Sequence, residues 1–366
     1  MTLPRLTVRG IRARAAMVPM RRPLATRVGT FDVAPLLLID LDTGEGVTGR
    51  TYLFTYHRTA TVYIAGLLDE ILALTRGDPV APVELWQKVF KGLTLLGHQG
   101  LSMMALAGFD LCCWDALARA AEAPLVRLLG GTPRPIRAYN SNGLGLMAPN
   151  KAAAEAQELI AQGNFSAVKV RLGRPTLEQD LAAFRAVRKA VGDAVILPTD
   201  FNQGLTVMEA IRRGQALDEE DVYWIEEPIR FDDLDGNAKV SDEVSTPTQI
   251  GENFYGPKAM AEAIAAEAAD YMMPDLEKIG GVTGWLRAAA LADAAGIEMS
   301  SHLFPEVSCH LMAVTPTAHW LEYVDWAAPV LAEPLVIENG HALIPDRPGS
   351  GIDWDEAAVK RYQVPL

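Results

Sequence analysis

Three acidic residues, Asp200, Glu226 and Glu252, recur at intervals of 26 residues, and each closes a short apolar run. Val195-Ile196-Leu197 leads to the first, Val222-Tyr223-Trp224-Ile225 to the second and Thr248-Gln249-Ile250-Gly251 to the third. An interval of that size holds one strand, one helix and two short connections. The acids then fall at equivalent ends of consecutive parallel strands, which lie side by side, so the carboxylates converge. Converging carboxylates repel one another unless a cation separates them. An all-oxygen donor set of this kind suits Mg²⁺, with positions left open for substrate or water. Any one of these acids alone reads as a surface residue at a loop tip; the equal spacing argues for a site.

Other chemistry-bearing residues fall at similar places. Lys169 and Arg171 are two apart in an apolar run, so a strand turns both to one face, and Asp200 and Asn202 do likewise if their strand extends that far. Two cations beside three carboxylates suit a site that holds an anion; simple ion pairing with the acids is the alternative. Asp275 and His302 end successive apolar runs 27 residues apart. A carboxylate accepting from Nδ1–H fixes a histidine's tautomer and raises its basicity. His57, His98, His310, His319 and His341 lack such a setting and read as ordinary residues, and Lys278 reads as structural. Glu322 ends a further run, where burial can keep a carboxyl protonated so that it donates to developing charge. Together the set suits one task. Mg²⁺ and a cation hold a carboxylate, a base removes the neighbouring proton, and the enediolate is stabilised by metal, Lys169 and Glu322.

The elements that position these groups follow from the pattern. Residues 1–50 read as strands, with Pro35 to Leu41 buried and Asp42 to Gly46 as a hairpin turn. Met20 to Thr30 reads as a loop. Residues 59–75, 83–96 and 100–121 have helical periodicity. After Gly130-Gly131 short apolar runs alternate with Ala-rich helices. Their ends are Tyr139-Asn140-Ser141, Val168 to Arg171, Asp200, Glu226, Glu252, Asp275, His302 and Glu322, eight in all. Eight closes a (β/α)₈ barrel, whose C-terminal strand ends carry catalytic groups. An open doubly wound sheet is the alternative, but no Gly-rich phosphate fingerprint follows a strand. The fold class is α/β: an N-terminal α+β capping domain over residues 1–130, a TIM-like barrel over 131–328, and a segment over 329–366 that returns to the cap.

Composition bounds the partners. The 366 residues are 49% hydrophobic, enough for a sizeable core, and carry a formal net charge of −13 with no Lys/Arg run. Nucleic acid and anionic membrane are therefore not expected partners. Cys112, Cys113 and Cys309 read as reduced cysteines of a cytoplasmic protein. No apolar run reads as membrane-spanning, and Arg5, Arg9, Arg12 and Arg14 precede no apolar stretch of the signal-peptide kind.

The motifs also carry a resemblance. Lys169-Val170-Arg171, Asp200-Phe201-Asn202-Gln203, Trp224-Ile225-Glu226-Glu227-Pro228, Gly251-Glu252-Asn253, Met273-Pro274-Asp275, Lys278 to Trp285, Ser300 to Phe304 and His319 to Glu322 follow in order at barrel spacing. The chain resembles the enolase superfamily, in particular its mandelate racemase subgroup. The resemblance implies a cap over a barrel, Mg²⁺ on Asp200, Glu226 (rather than Glu227) and Glu252, and a His302–Asp275 dyad as acid/base. It implies Lys169 on the substrate carboxylate, Asn202 near the α-hydroxyl, Glu322 as hydrogen-bond donor, and residues 20–31 as a specificity flap. It implies a homo-oligomer by analogy. One departure stands out: racemases of this type have a second lysine where this chain has Arg171, and a guanidinium is a poor base. Asn140 and Asn142 also differ from the racemase pattern.

Two catalytic readings and one binding reading follow. A racemase or epimerase of a 2-hydroxy acid would use Leu24, Phe31, Leu303 and Val324 as an apolar pocket, with Ser141 and Asn202 as polar contacts. A dehydratase would need only His302 and a group assisting loss of a 3-hydroxyl, but a sugar acid wants more hydrogen-bond partners than this lining offers. A barrel that only binds would not need the complete ligand set and dyad. In each case the partner is a small carboxylate.

Overall fold

Pro35 to Leu41 is buried along its whole length, and this run is the centre of the first sheet in a computed structural model that describes residues 5–366. The sheet is antiparallel: β1 (Val8–Ala25), β2 (Thr30–Thr43) and β3 (Thr48–Phe54). The segment Met20 to Thr30, expected as a loop, is largely β-ribbon. A register shift between Pro19 and Leu24 accommodates Pro23, and a tight turn joins Thr26 to Gly29, so Leu24 and Phe31 face each other as a cross-strand pair.

Helices α1 (Arg58–Thr75), α2 (Pro82–Gly92), α3 (Leu101–Ala120) and α4 (Leu125–Leu128) follow. The second ends before the expected residue 96; Leu95 and Leu96 lie beyond it, exposed. The third packs on β3, and Gly49 permits this because a Cβ there would stand 2.0 Å from the Cys112 carbonyl oxygen. Contrary to the reading of the sequence, α3 is long and apolar enough to cross a membrane, but its apolar window is 89% buried inside the protein. Asp110 on α3 accepts from the Thr283 N–H at 2.9 Å and the Thr283 hydroxyl at 2.6 Å, which ties the cap to the first turn of a barrel helix.

The barrel then alternates: β4 (Pro135–Asn140), α5 (Pro149–Ala161), β5 (Val170–Arg171), α6 (Leu177–Val191), β6 (Thr199–Asp200), α7 (Val207–Leu217), β7 (Ile225–Glu226), α8 (Leu234–Glu243), β8 (Thr248–Ile250), α9 (Pro257–Ala265), β9 (Tyr271–Met272), α10 (Gly281–Ala295), α11 (Pro305–Met312) and β10 (Leu321–Tyr323). Strands β5 to β9 pair in parallel in sequence order. Parallel bridges at Asn140–Val168, Met272–Met299 and Met299–Ala318 continue the ring, and β10 pairs with β4 to close it. The bottom is plugged by Tyr139, Trp224 and Trp320, all fully buried, as a filled barrel core requires. The tail adds the hairpin β11 (Val336–Glu338) and β12 (His341–Leu343) beside β4. Helix α12 (Glu356–Tyr362) and β13 (Gln363–Val364) follow, and β13 pairs with β1 of the cap.

Candidate active site

Parallel register sets the first row of the site. Arg171 on β5, Asp200 on β6 and Glu226 on β7 are direct neighbours across the sheet. Glu226 is level with Gln249 on β8, so Glu252 sits three residues past the row. The equal spacing in sequence therefore does not mean equal height: Gly251, at φ 140°, carries the chain over the rim first.

After β6, Asn202 and Gln203 both adopt left-handed backbone. The turn aims Asn202 back at Asp200, whose Oδ1 accepts from the Asn202 N–H at 2.7 Å and whose Oδ2 accepts from its Nδ2 at 3.0 Å. Asn202 Oδ1 is buried and has no hydrogen-bond partner among the described residues. Glu226 points inward and accepts from Lys169 Nζ and from Trp224 Nε1. Glu227 points the other way, accepting from the Gly251 N–H at 2.8 Å.

Lys169 is the charge at the centre. Its ammonium is 2.9 Å from Glu322, 3.4 Å from Asp200 and also touches Glu226. Burial disfavours the charge, but Glu226, Glu322 and Asp200 outweigh it and hold the ammonium above its ordinary range. Burial, helped by Asp200 and Glu322, pushes Glu226 up to about 7 despite Lys169. Among the described residues no three His, Cys, Asp or Glu side chains stand together as a ready cage for an ion. Asp200 contacts Asn202 and Lys169, Glu226 contacts Lys169, and Glu252 contacts His302. The donor chemistry still fits Mg²⁺: three carboxylates are hard oxygen ligands, and the unpartnered Asn202 oxygen beside Asp200 leaves an acceptor for a molecule bound there.

The dyad is formed directly. His302 Nδ1 lies 2.6 Å from Asp275 Oδ2, while Asp275 Oδ1 accepts from the N–H groups of Glu277 and Lys278 at 2.8 and 3.1 Å. The other ring nitrogen, Nε2, is 3.1 Å from Glu252 Oε2. Burial opposes an imidazolium here, but Glu322, Glu252 and Asp275 raise the His302 pKa well above its usual value. Glu252 is held well below the carboxylate range: burial is outweighed by His302, Lys278 and Lys169.

Glu322 departs from expectation. Burial alone would favour its protonated form, but Lys169 and His302 hold it down to about 2, and it accepts from the Leu303 N–H at 2.9 Å. Lys169 and His302 thus favour its charged, accepting form over the protonated donor that burial alone favours.

Arg171 and Ser141 also take a different form from the sequence reading. Arg171 Nη1 donates to the Gly143 carbonyl at 2.6 Å and to the Ser141 carbonyl at 3.3 Å, and Nη2 donates to Ser141 Oγ at 3.0 Å. Ser141 thus holds Arg171 in place and does not itself line the cavity, and neither does Val324. The cavity, about 120 Å³, has a charged floor of Lys169, Asp200, Glu252, His302 and Glu322, with Arg171 and Asn202 beside them. Its walls are Leu24, Phe31 and Leu303, together with Val28, Phe54 and Trp326, which sequence reasoning did not name. Tyr56 and Gln203 add polar atoms, and the Tyr56 hydroxyl is buried without a partner. Phe54 and Tyr56 come from the end of a cap strand, and nothing in their spacing points to a barrel mouth.

Comparison with known proteins agrees with this architecture. Residues 9–130 match the mandelate racemase / muconate lactonizing enzyme N-terminal domain, and residues 151–358 match the enolase C-terminal domain-like family. An enolase from alpha proteobacterium bal199 with bound magnesium is 48% identical over 98% of this chain and all of its own, with a TM-score of 0.96. An enolase from Bradyrhizobium complexed with magnesium and mandelic acid is 42% identical over the full length of both chains, with a TM-score of 0.95. The D-galactarolactone cycloisomerase of Agrobacterium fabrum is 32% identical over 92% of this chain and 93% of its own. Other curated relatives include dehydratases and epimerases.

Proposed function

The chain belongs to the mandelate racemase / muconate lactonizing enzyme family of the enolase superfamily, and on that premise we propose that it is an enzyme that removes the α-proton of a 2-hydroxy acid bearing an apolar substituent. The observation that carries this reading is the division of the cavity. A floor of charged groups faces a wall of Leu24, Val28, Phe31, Phe54, Leu303 and Trp326. A carboxylate and hydroxyl suit the floor; an aryl or alkyl group suits the wall. The mandelic acid held by the Bradyrhizobium relative, an aryl 2-hydroxy acid, supports the same division.

Asp200, Glu226 and Glu252 are the residues that would hold Mg²⁺. When bound there, the metal supplies a Lewis acid that lowers the cost of negative charge on the substrate carboxylate. Lys169 brings an ammonium to that carboxylate, and Asn202, whose Oδ1 has no partner among the described residues, would accept from the α-hydroxyl. His302, set in one tautomer by Asp275, would take the α-proton at Nε2; this needs the neutral ring, which the charges of Glu322 and Glu252 disfavour and a cation held by Glu252 would favour. Lys169 then balances the charge of the enediolate. Return of the proton from the imidazolium to its own face gives exchange without inversion, racemisation or epimerisation needs a proton delivered to the opposite face, and dehydration sends the 3-hydroxyl out with a proton as water. Racemisation or epimerisation is the first assignment.

Dehydration is the second, and Arg171 favours it. The amino groups of its guanidinium are spent on Ser141 and Gly143, so it is a fixed cation and no second base stands at that position. The test is a panel of 2-hydroxy acids with Mg²⁺ in D₂O followed by NMR. Deuterium at Cα with inversion supports the first assignment, and release of a 2-keto acid from a 3-hydroxylated substrate supports the second. Absence of both across apolar and polyhydroxy acids overturns the proposal.

A further inference from the structure

Lys278 reads from sequence as a structural loop residue, but its position joins the two halves of the site. Its backbone N–H donates to Asp275 Oδ1 at 3.1 Å, so the residue helps to seat the dyad. Its side chain runs the other way. Nζ donates to Asn253 Oδ1 at 2.9 Å, and Asn253 Nδ2 donates to Glu252 Oε1 at 3.0 Å. Lys278 is 4% exposed, has no ion-pair partner among the described residues, and stands 4.7 Å from the centre of the Tyr56 ring.

The chemistry of this chain of contacts gives it a direction. An ammonium only donates and a carboxylate only accepts. The amide of Asn253 is therefore locked with its oxygen toward Lys278 and its nitrogen toward Glu252; the flipped amide would face a donor with a donor and an acceptor with an acceptor. One oxygen of Glu252 is fixed by this relay, which leaves the other, Oε2, turned toward the cavity. We propose that Lys278 and Asn253 are positioning residues that hold Glu252 in its metal-binding orientation. The proposal rests on the reading of Glu252 as a metal ligand. Partners that orient a ligand from outside the coordination shell are worth about 10- to 100-fold in metal affinity.

Removing Lys278 has two opposed effects. It frees Asn253, which weakens metal binding, and it deletes a nearby positive charge, which strengthens it. A double-mutant cycle separates them, because the charge effect is present in both backgrounds and cancels. Mg²⁺ affinity is measured by calorimetry on the full-length protein without substrate, for wild type, Asn253→Ala, Lys278→Met and the double variant, with Tm recorded for each. Asn253→Ala is expected to weaken Mg²⁺ binding by about 10-fold or more. Lys278→Met is expected to change affinity by a different factor in the wild type than in Asn253→Ala, by roughly threefold or more. A residue that only packs lowers Tm and leaves these affinities alone. Wild-type affinity in a folded Asn253→Ala protein overturns the proposal, as does an equal Lys278→Met factor in both backgrounds. If Lys278→Met does not fold, Asn253→Ala decides alone. Wild-type protein that binds no Mg²⁺ overturns the metal reading and this proposal together; normal wild-type binding that Asp200→Asn weakens and Asn253→Ala does not overturns the proposal only.

Discussion

Glu252 Oε2 lies 3.1 Å from Nε2 of His302, the ring nitrogen opposite the one held by Asp275. The acid proposed to bind metal therefore also covers the working face of the proposed base. Its charge, with that of Glu322, acts against burial and raises the His302 pKa. Glu252→Gln should weaken Mg²⁺ binding by about 10-fold or more, because a hard cation loses an anionic ligand. In chelator-treated protein the same change should lower the titration midpoint of the His302 ring, read by NMR. An unchanged midpoint would show that Glu252 does not act on His302.

Asp275 is fully satisfied by His302 and by two backbone N–H groups, so its removal disturbs the ring without opening a cavity. Asp275→Asn should lower α-proton exchange by on the order of 10³- to 10⁴-fold while leaving Mg²⁺ affinity near wild type, since tautomer and basicity are lost together. Exchange within tenfold of wild type would place the base elsewhere.

Arg171 offers no base to the second face of the substrate. Wild-type protein should exchange the α-proton of the enantiomer facing His302 and be slow on the other. Arg171→Lys should raise exchange from the slow enantiomer, because an amine deprotonates far more readily than a guanidinium. Equal exchange of both enantiomers by the wild type would mean that another group serves that face.

The apolar wall is built by a cross-strand pair. Leu24 and Phe31 face each other in the flap ribbon and both line the cavity. Phe31→Ala should raise KM for an aryl 2-hydroxy acid more than it lowers kcat, since the contact is the same in ground and transition states. A fall in kcat alone, with KM unchanged, would put Phe31 in the chemistry instead.

Two histidines away from the chemistry make stability pH-dependent. Burial lowers His310 to about 4, with Arg347 adding to it against the Ser350 carbonyl. Burial, then Arg137, lowers His319 to about 4. Both are neutral when folded near neutrality, so the unfolded chain binds more protons between about pH 6.5 and 4. Their contribution to stability is therefore whole above about 6.5 and falls as pH drops through that window, opposite in sign to that of Asp110 and Glu306, which burial raises to about 7. Relative to wild type, the Tm of His319→Gln should decline less steeply as pH falls over that range, because one titrating group is removed. An equally steep decline in His319→Gln would exclude His319 as a source.

The eight strand ends were legible because each follows an apolar run at a spacing of one βα unit, and the closed parallel ring follows from that alternation. The cap ribbon was less legible. Pro23, next to Arg21 and Arg22, breaks the alternation from Met20 to Thr30, and only a register shift against β2 makes that stretch a strand. The end of α2 was missed because Thr94 to Gly97 extends a plausible helical pattern that nothing in the fold covers.

Sequence by itself determined the types and the order of the chemical groups: three carboxylates at regular intervals, an acid–histidine pair, and a lysine two residues before an arginine. Those depend on local pattern, which spacing and periodicity carry. Tertiary structure decided what each group touches. It placed Glu252 above the row of Asp200 and Glu226, gave Lys169 three acidic neighbours, favoured the charged, accepting form of Glu322 and bound Arg171 to the loop at Ser141 and Gly143. It also brought Phe54 and Tyr56 from the cap, and Lys278 through Asn253, to the same site. The physical reason is that charge state and hydrogen-bond direction depend on neighbours within a few ångströms. In a closed barrel those neighbours come from strands and loops far apart in the chain.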